Sequence, residues 1–210
     1  MTFHSIAIEG PPGVGKTLVV EGLAQRLEAN TAVEEWNQNP FLASFLAGRP
    51  GTVFQTEVFF LLSRFRQQQE LLQRNLFAPT TLCDYLIERS KLYAYLNLED
   101  NELLIFEKLY ALLSEGVPQP DLVIYLQAPT EVLMRRRRQV APEAPLSESS
   151  LQEINRAYNH YFFHYARGPL LVVNTAELDL ETHPEDFDDL LRQIANMGRG
   201  TQYYVPRAHS

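Results

Sequence analysis

Gly10-Pro11-Pro12-Gly13-Val14-Gly15-Lys16-Thr17 is the stretch that decides the fold. It fits G-x-x-x-x-G-K-[ST] without a mismatch. Before it, Phe3 to Ile8 is a short apolar run that reads as a strand. After it, Leu18, Val19, Leu23 and Leu27 recur at helical spacing up to about Ala29. Strand, glycine loop and helix in that order make a phosphate cradle. Gly10, Gly13, Val14 and Gly15 supply a backbone whose N–H groups can turn inward on an anion, and the helix N-terminus adds partial positive charge. Lys16 can reach the β- and γ-phosphates, and the Thr17 hydroxyl can ligate Mg²⁺. The chain is therefore expected to bind a nucleoside triphosphate, and the question becomes what receives the phosphoryl group.

The rest of the chain bounds the answer. At 210 residues and 45% hydrophobic composition it reads as one domain with a sizeable core. A net charge of −8 argues against a nucleic-acid or membrane surface. The single cysteine, Cys83, excludes an internal disulfide and fits a reducing, cytoplasmic setting. The N-terminus enters the first strand directly, with no signal peptide, and no apolar run is long enough to span a membrane.

Strands and helices alternate, which predicts an α/β fold with a parallel sheet covered on both faces. Five strands are expected: Phe3–Ile8, Thr31–Val33, Pro79–Cys83, Asp121–Leu126 and Leu170–Val173. Helices are expected over 41–47, 53–75, 86–96, 99–114, 130–138, 149–167 and 184–197, with residues 199–210 as a loose tail. The long helix from Val53 carries Phe54, Val58, Leu61, Leu62, Phe65, Leu72 and Leu76 as an apolar stripe. Ligands of open α/β sheets sit at the carboxyl ends of the strands, which places the glycine loop, Glu34, Asp84 and the segment after Gln127 around one crevice.

The kind of phosphate-loop protein can be narrowed. No guanine-reading Asn-Lys-x-Asp is present, and the chain is short for a motor ATPase with its strong acidic strand end. A small kinase remains. Three segments sharpen this: Glu34-Glu-Trp-Asn-Gln-Asn-Pro-Phe-Leu42, Phe54-Gln-Thr-Glu-Val-Phe-Phe-Leu-Leu-Ser-Arg64 and Cys83-Asp-Tyr-Leu-Ile-Glu-Arg-Ser-Lys-Leu-Tyr-Ala94. In that order after the glycine loop they resemble the deoxyribonucleoside kinase family, most strongly its bacterial purine members, over roughly residues 3 to 175.

The resemblance implies roles. Glu34 matches the carboxylate that takes the proton of the nucleoside 5′-hydroxyl, which suits a poor nucleophile that needs a base within reach; its neighbour Glu35 lacks the family spacing to Asn39. Asp84 matches the acid that helps hold Mg²⁺ beside the substrate. Tyr85 follows it where many members have Arg, and Arg89 is the candidate to replace that arginine. Gln55 matches the amide that pairs with the base, since Gln offers a donor and an acceptor, and Phe54 could stack on the base. Arg135 to Arg138 falls on the family's arginine-rich lid, with Arg138 nearest the central catalytic position and Arg135 towards the ATP. Glu143 matches the Glu that binds the sugar 3′-hydroxyl. Relatives that read the base with an Arg/Asp pair have that pair where this chain has Leu62 and Ser90, which implies a larger pocket. Arg64 is set on a different helix face from Gln55. The family further implies ATP as donor, a small-molecule deoxynucleoside, with deoxyguanosine or deoxyadenosine preferred and the larger pocket permitting broader use that includes pyrimidines, and a homodimer. Two rival readings stand beside it: a kinase of nucleoside monophosphates or another metabolite, and a non-catalytic nucleotide-sensing module.

Overall fold

The computed structural model describes residues 3–74, 80–140, 146–178, 180, 183 and 185–206. Two compact units are present: Met1–Thr31, Ala78–Asp84 and Gln119–Ser210 form one, Ala32–Phe77 and Tyr85–Pro118 the other.

The first unit carries the sheet. Its strands are β1 (Ser5–Glu9), β2 (Asn30–Ala32), β3 (Thr81–Cys83), β4 (Leu122–Gln127), β5 (Leu170–Asn174) and β6 (Thr201–Tyr204), in the order β2-β3-β1-β4-β5-β6. β1 pairs in parallel with β3 (Ala7 opposite Cys83) and with β4 (Ile8 opposite Ile124), and β4 pairs in parallel with β5. Ile6, Ile8, Leu122, Ile124, Leu126, Leu171 and Val173 are buried, as befits central parallel strands covered on both sides. Helices α1 (Lys16–Leu27), α6 (Thr130–Val140), α7 (Glu148–Phe163) and α8 (Glu185–Ala195) belong to this unit. α1 and α8 meet at Gly22, where an added Cβ would fall 2.0 Å from the Phe187 ring. Arg26 then lies over that ring, 4.1 Å from its centroid.

β6 corrects the expectation of five strands and a loose tail over 199–210. Gly200, at φ 82°, turns the chain, and Leu170 N–H donates to its carbonyl at 3.0 Å. Thr201–Tyr204 then pairs in parallel with Leu170–Val173. The physical reason is the open edge of β5: its unpaired amides and carbonyls take up a short Thr/Tyr-rich segment of good strand propensity. An edge strand this short, half exposed, has no hydrophobic period to announce it.

The second unit is helical: α2 (Leu42–Leu46), α3 (Thr52–Arg74), α4 (Arg89–Asn97) and α5 (Asp100–Ser114). Leu61, Ile87, Ala94, Phe106 and Tyr110 form its core, with Phe54, Val58, Phe65 and Leu103 packed against it. Each Leu, Ile or Phe side chain among them, fully buried, contributes roughly 1.5–3 kcal/mol. α5 starts with a capping box in which Glu99 and Glu102 exchange side-chain and backbone bonds. Leu62 departs from the expected apolar stripe: it is 47% exposed. Leu76, also read into that stripe, lies outside the described residues.

Candidate active site

The phosphate loop follows from its glycines. A Cβ on Gly10 would stand 2.5 Å from the Leu126 carbonyl oxygen, and one on Gly13 would stand 2.8 Å from Arg137 Cγ and 2.9 Å from the Leu133 carbonyl. Only glycine allows this approach of backbone to β4 and α6. Lys16 Nζ donates to the carbonyls of Gly10 at 2.6 Å and Pro11 at 3.2 Å, so its charge sits inside the curl of the loop. Gly15, left-handed at φ 98°, starts α1 with no side chain capping the first amides. Those amides and the helix dipole face outward for an anion. Thr17 is exposed in the first turn.

Asp84 follows β3 directly, one residue beyond the Ala7–Cys83 pair, and is buried. It therefore stands at the carboxyl end of the sheet, the end from which the phosphate loop departs. Among the described residues no group of three or more His, Cys, Asp or Glu side chains could hold a metal ion. A donor set of one hydroxyl and one carboxylate suits Mg²⁺, which takes its remaining oxygens from phosphates and water.

The four arginines of α6 divide. Arg136 donates to Thr175 Oγ1 at 3.0 Å and to the Thr175 carbonyl at 2.5 Å, with the Leu178 carbonyl at 3.5 Å. Thr175 in turn donates to the Val14 carbonyl at 3.4 Å. Arg136 thus pins the helix to the segment after β5. Arg137 lies against Gly13, while Arg135 and Arg138 are exposed. Glu143 lies outside the described residues.

The second unit holds a different kind of site. Asn39 is buried, and its side chain donates to the Thr56 carbonyl at 3.2 Å and accepts from Phe41 N–H at 3.0 Å. The loop that carries Glu34 is tied to α3 in this way. Glu34 is 7% exposed. Arg64 Nη2 stands 2.5 Å from one of its oxygens and Arg89 Nη1 2.9 Å from the other. Arg64 Nη1 also donates to Ser90 Oγ at 2.6 Å. Burial pushes the Glu34 carboxyl up, but the charges and hydrogen bonds of Arg64 and Arg89 outweigh it and hold the pKa below the ordinary value. The group is an ionised carboxylate at neutral pH in a buried, cationic setting. Glu35 beside it is exposed.

On α3, Gln55 is exposed and Phe54 half-buried. Leu62 points outward with Gln55, and Ser90 is wholly buried and taken by Arg64. The expectation that Leu62 and Ser90 together enlarge a pocket is thereby replaced: Arg64 fills the place beside Ser90.

The sequence profile of the deoxynucleoside kinase family matches residues 6–198. The chain belongs to that family. It is a deoxynucleoside kinase, an enzyme that phosphorylates deoxynucleosides. Its sequence is 33% identical over 132 residues to a deoxyguanosine kinase of Bacillus subtilis, a match covering 62% of this chain and 64% of that one. It is 26% identical over 201 residues to a deoxyadenosine/deoxycytidine kinase of the same organism, covering 91% and 92%. The structure of a deoxyadenosine kinase from M. mycoides with dCMP and dCDP superposes with a TM-score of 0.76 at 21% identity, covering 91% of this chain and 98% of that one. At that identity the likeness speaks for the fold.

Sequence reasoning on this deoxynucleoside kinase set Arg64 aside and missed Arg137 and the Glu57–Asn97 pair of the second unit. A signal for Arg64 was present. It lies seven positions after Glu57, and the two flank Phe60 and Leu61 on one face of the helix, where charged residues among apolar ones mark a buried polar site.

Proposed function

We propose that the protein transfers the γ-phosphoryl group of ATP to the 5′-hydroxyl of a purine deoxyribonucleoside, deoxyguanosine or deoxyadenosine, giving the 5′-monophosphate. The observation that carries this reading is the buried Glu34 held between Arg64 and Arg89. A sugar hydroxyl is a poor nucleophile, and an ionised carboxylate in a water-poor site orients it and accepts its proton as the new O–P bond forms and ADP leaves. ATP supplies the phosphoryl group, and Mg²⁺ neutralises its charge. Gly10, Gly13, Val14 and Gly15 wrap the phosphates, Lys16 offsets their charge, and Thr17 and Asp84 hold the ion. Arg138 and Arg135, with Arg137 already beside the loop, clamp the transferring group. Phe54 and Gln55 supply contacts to the base, and Glu143 contacts the 3′-hydroxyl. The name of the Bacillus subtilis deoxyguanosine kinase supports the purine preference, and that of the deoxyadenosine/deoxycytidine kinase supports purine use accompanied by a pyrimidine.

The family profile runs through both compact units, which supports one kinase domain over 1–210. A homodimer and a cytoplasmic setting complete the reading. No helix among the described residues is long and apolar enough to cross a membrane.

The test is direct. The purified protein is given ATP and Mg²⁺ with the four deoxyribonucleosides, the ribonucleosides and the nucleoside monophosphates in turn. Deoxyguanosine and deoxyadenosine are expected to turn over best. Phosphorylation of monophosphates alone would support the rival kinase reading. Nucleotide binding with no acceptor phosphorylated would support the sensing module.

A further inference from the structure

Glu57 is a buried acid that phosphoryl transfer does not use. It lies two residues after Gln55 on α3, yet the two have opposite surroundings: Gln55 is exposed and Glu57 is 4% exposed. Helical geometry accounts for this. At about 100° per residue, the nine residues from Gln55 to Arg64 turn the chain by about 180° beyond whole turns, whereas the seven from Glu57 to Arg64 bring it back to within about 20°. Glu57 and Arg64 therefore share the buried face, and Gln55 and Leu62 share the exposed one.

Around Glu57 the charged and polar groups are few. Arg64 follows it on α3, Glu34 comes from the loop after β2, and both act on it electrostatically. Arg89 and Ser90 at the start of α4 are engaged with Glu34 and Arg64. Asn97, at the end of α4, is exposed and donates to Glu57 Oε1 at 2.7 Å. Among the described residues Oε2 has no hydrogen-bond partner. The polar cluster thus holds the acid that faces the sugar hydroxyl and, within the reach of its field, a second acid whose free oxygen can accept hydrogen bonds.

We propose that Glu57, positioned by Asn97, reads the Watson–Crick edge of the nucleobase, and that its ionised carboxylate selects guanine. This rests on the deoxynucleoside kinase reading of the same site and takes over the base contact given there to Gln55, which lies on the exposed face of α3. An ionised carboxylate only accepts hydrogen bonds, and a protonated one donates one and accepts one. Guanine presents two adjacent donors, N1–H and the 2-amino group, which match a carboxylate. Adenine presents a donor and an acceptor, the 6-amino group and N1, which match a protonated carboxyl or an amide. Burial pushes the Glu57 carboxyl up to about 7, against the lowering effects of Asn97 and Arg64 and with a small further rise from Glu34. Both forms are then present near neutral pH, and the base preference follows the proton: guanine gains as pH rises, adenine as it falls.

The experiment measures kcat/KM for deoxyguanosine and deoxyadenosine between about pH 6 and pH 8, with ATP and Mg²⁺, in the wild type and in Glu57→Gln. The ionised-to-neutral ratio of one carboxyl changes about tenfold per pH unit, so the wild-type deoxyguanosine/deoxyadenosine ratio is expected to rise at least about tenfold across that range. In Glu57→Gln, whose amide keeps a donor and an acceptor at every pH, the ratio becomes flat and moves towards deoxyadenosine. A residue that only supports the fold would lower both substrates together and leave the ratio alone. The wild-type profile needs no variant, so it decides the matter even if Glu57→Gln fails to fold. A pH-invariant wild-type ratio with both nucleosides turned over overturns the proposal and leaves the kinase reading standing. So does a ratio that shifts in Gln55→Ala but not in Glu57→Gln. Absence of turnover with every deoxynucleoside overturns both.

Discussion

At the residue scale, Lys16 holds its ammonium among the carbonyls of its own loop, where it meets phosphates as a point charge. Lys16→Ala is expected to abolish phosphoryl transfer while leaving the melting temperature close to wild type; retained turnover with ATP would refute the assignment. Glu34 behaves differently because it is buried between two arginines. Glu34→Gln should lower kcat by about 10²–10⁴ and also lower stability, because Arg64 and Arg89 lose the charge that compensates their burial. Glu35→Gln, on an exposed neighbour, should do little in either assay, and the reverse outcome would mean that the wrong acid had been assigned. Glu34 also sets an acid limit. Its folded pKa lies below the ordinary 4.5, so the stability it contributes is complete above that value and is lost as pH falls through the folded one. Denaturant unfolding between about pH 5 and pH 3 should show this loss in the wild type and a smaller one in Glu34→Gln.

At the element scale, α6 separates anchoring from chemistry. Arg136 bonds to Thr175 and Leu178. Arg136→Ala should destabilise the protein by on the order of 1–2 kcal/mol, as expected for charged hydrogen bonds from a half-buried arginine to buried partners. Arg137→Ala, at the side of Gly13, should leave the melt unchanged and raise KM for ATP or lower kcat. If the two variants exchange these phenotypes, the division of the lid arginines is reversed. α3 makes a prediction of opposite sign to that of Glu34. The Glu57 carboxyl is raised from 4.5 to about 7. Between those values the unfolded chain has released the proton and the folded one still binds it, so stability falls as pH rises through that window. Unfolding of Glu57→Gln should lack this decline. An equal decline in both would show that Glu57 is not its source.

For the whole molecule, the proposed homodimer has a candidate surface on α5. Leu104, Ile105 and Leu112 are exposed there, and large apolar side chains grouped on one helix mark contact surfaces. Light scattering is expected to give twice the chain mass for the wild type and the single mass for the double variant Ile105→Glu/Leu112→Glu. A monomeric wild type would remove the dimer from the reading.

The glycine loop, the parallel sheet and the helices around it were legible in the sequence because each rests on local rules. Gly10, Gly13 and Gly15 satisfy backbone needs, Lys16 and Thr17 stand at fixed offsets from them, and buried strands such as Leu122–Leu126 are continuous apolar runs. Glu34 was legible as a candidate because its spacing to Asn39, on which the resemblance rests, is written in one loop. The partners of Glu34 were not legible in the same way. Arg64 and Arg89 reach it from positions 30 and 55 residues away in the chain, and only packing decides that both charges are buried on one carboxylate. The exposed setting of Gln55 and the buried one of Glu57 depend on which face of α3 meets α4 and α5, a choice two residues of sequence cannot reveal. The strand at Thr201–Tyr204 exists because β5 offers it an edge, and its pairing energy comes from a neighbour some thirty residues earlier. Local chemistry wrote the phosphate site into the sequence; long-range burial and pairing settled the acid's environment, the outward turn of Gln55 and the sixth strand, because desolvation and hydrogen-bond partners are properties of neighbours in space.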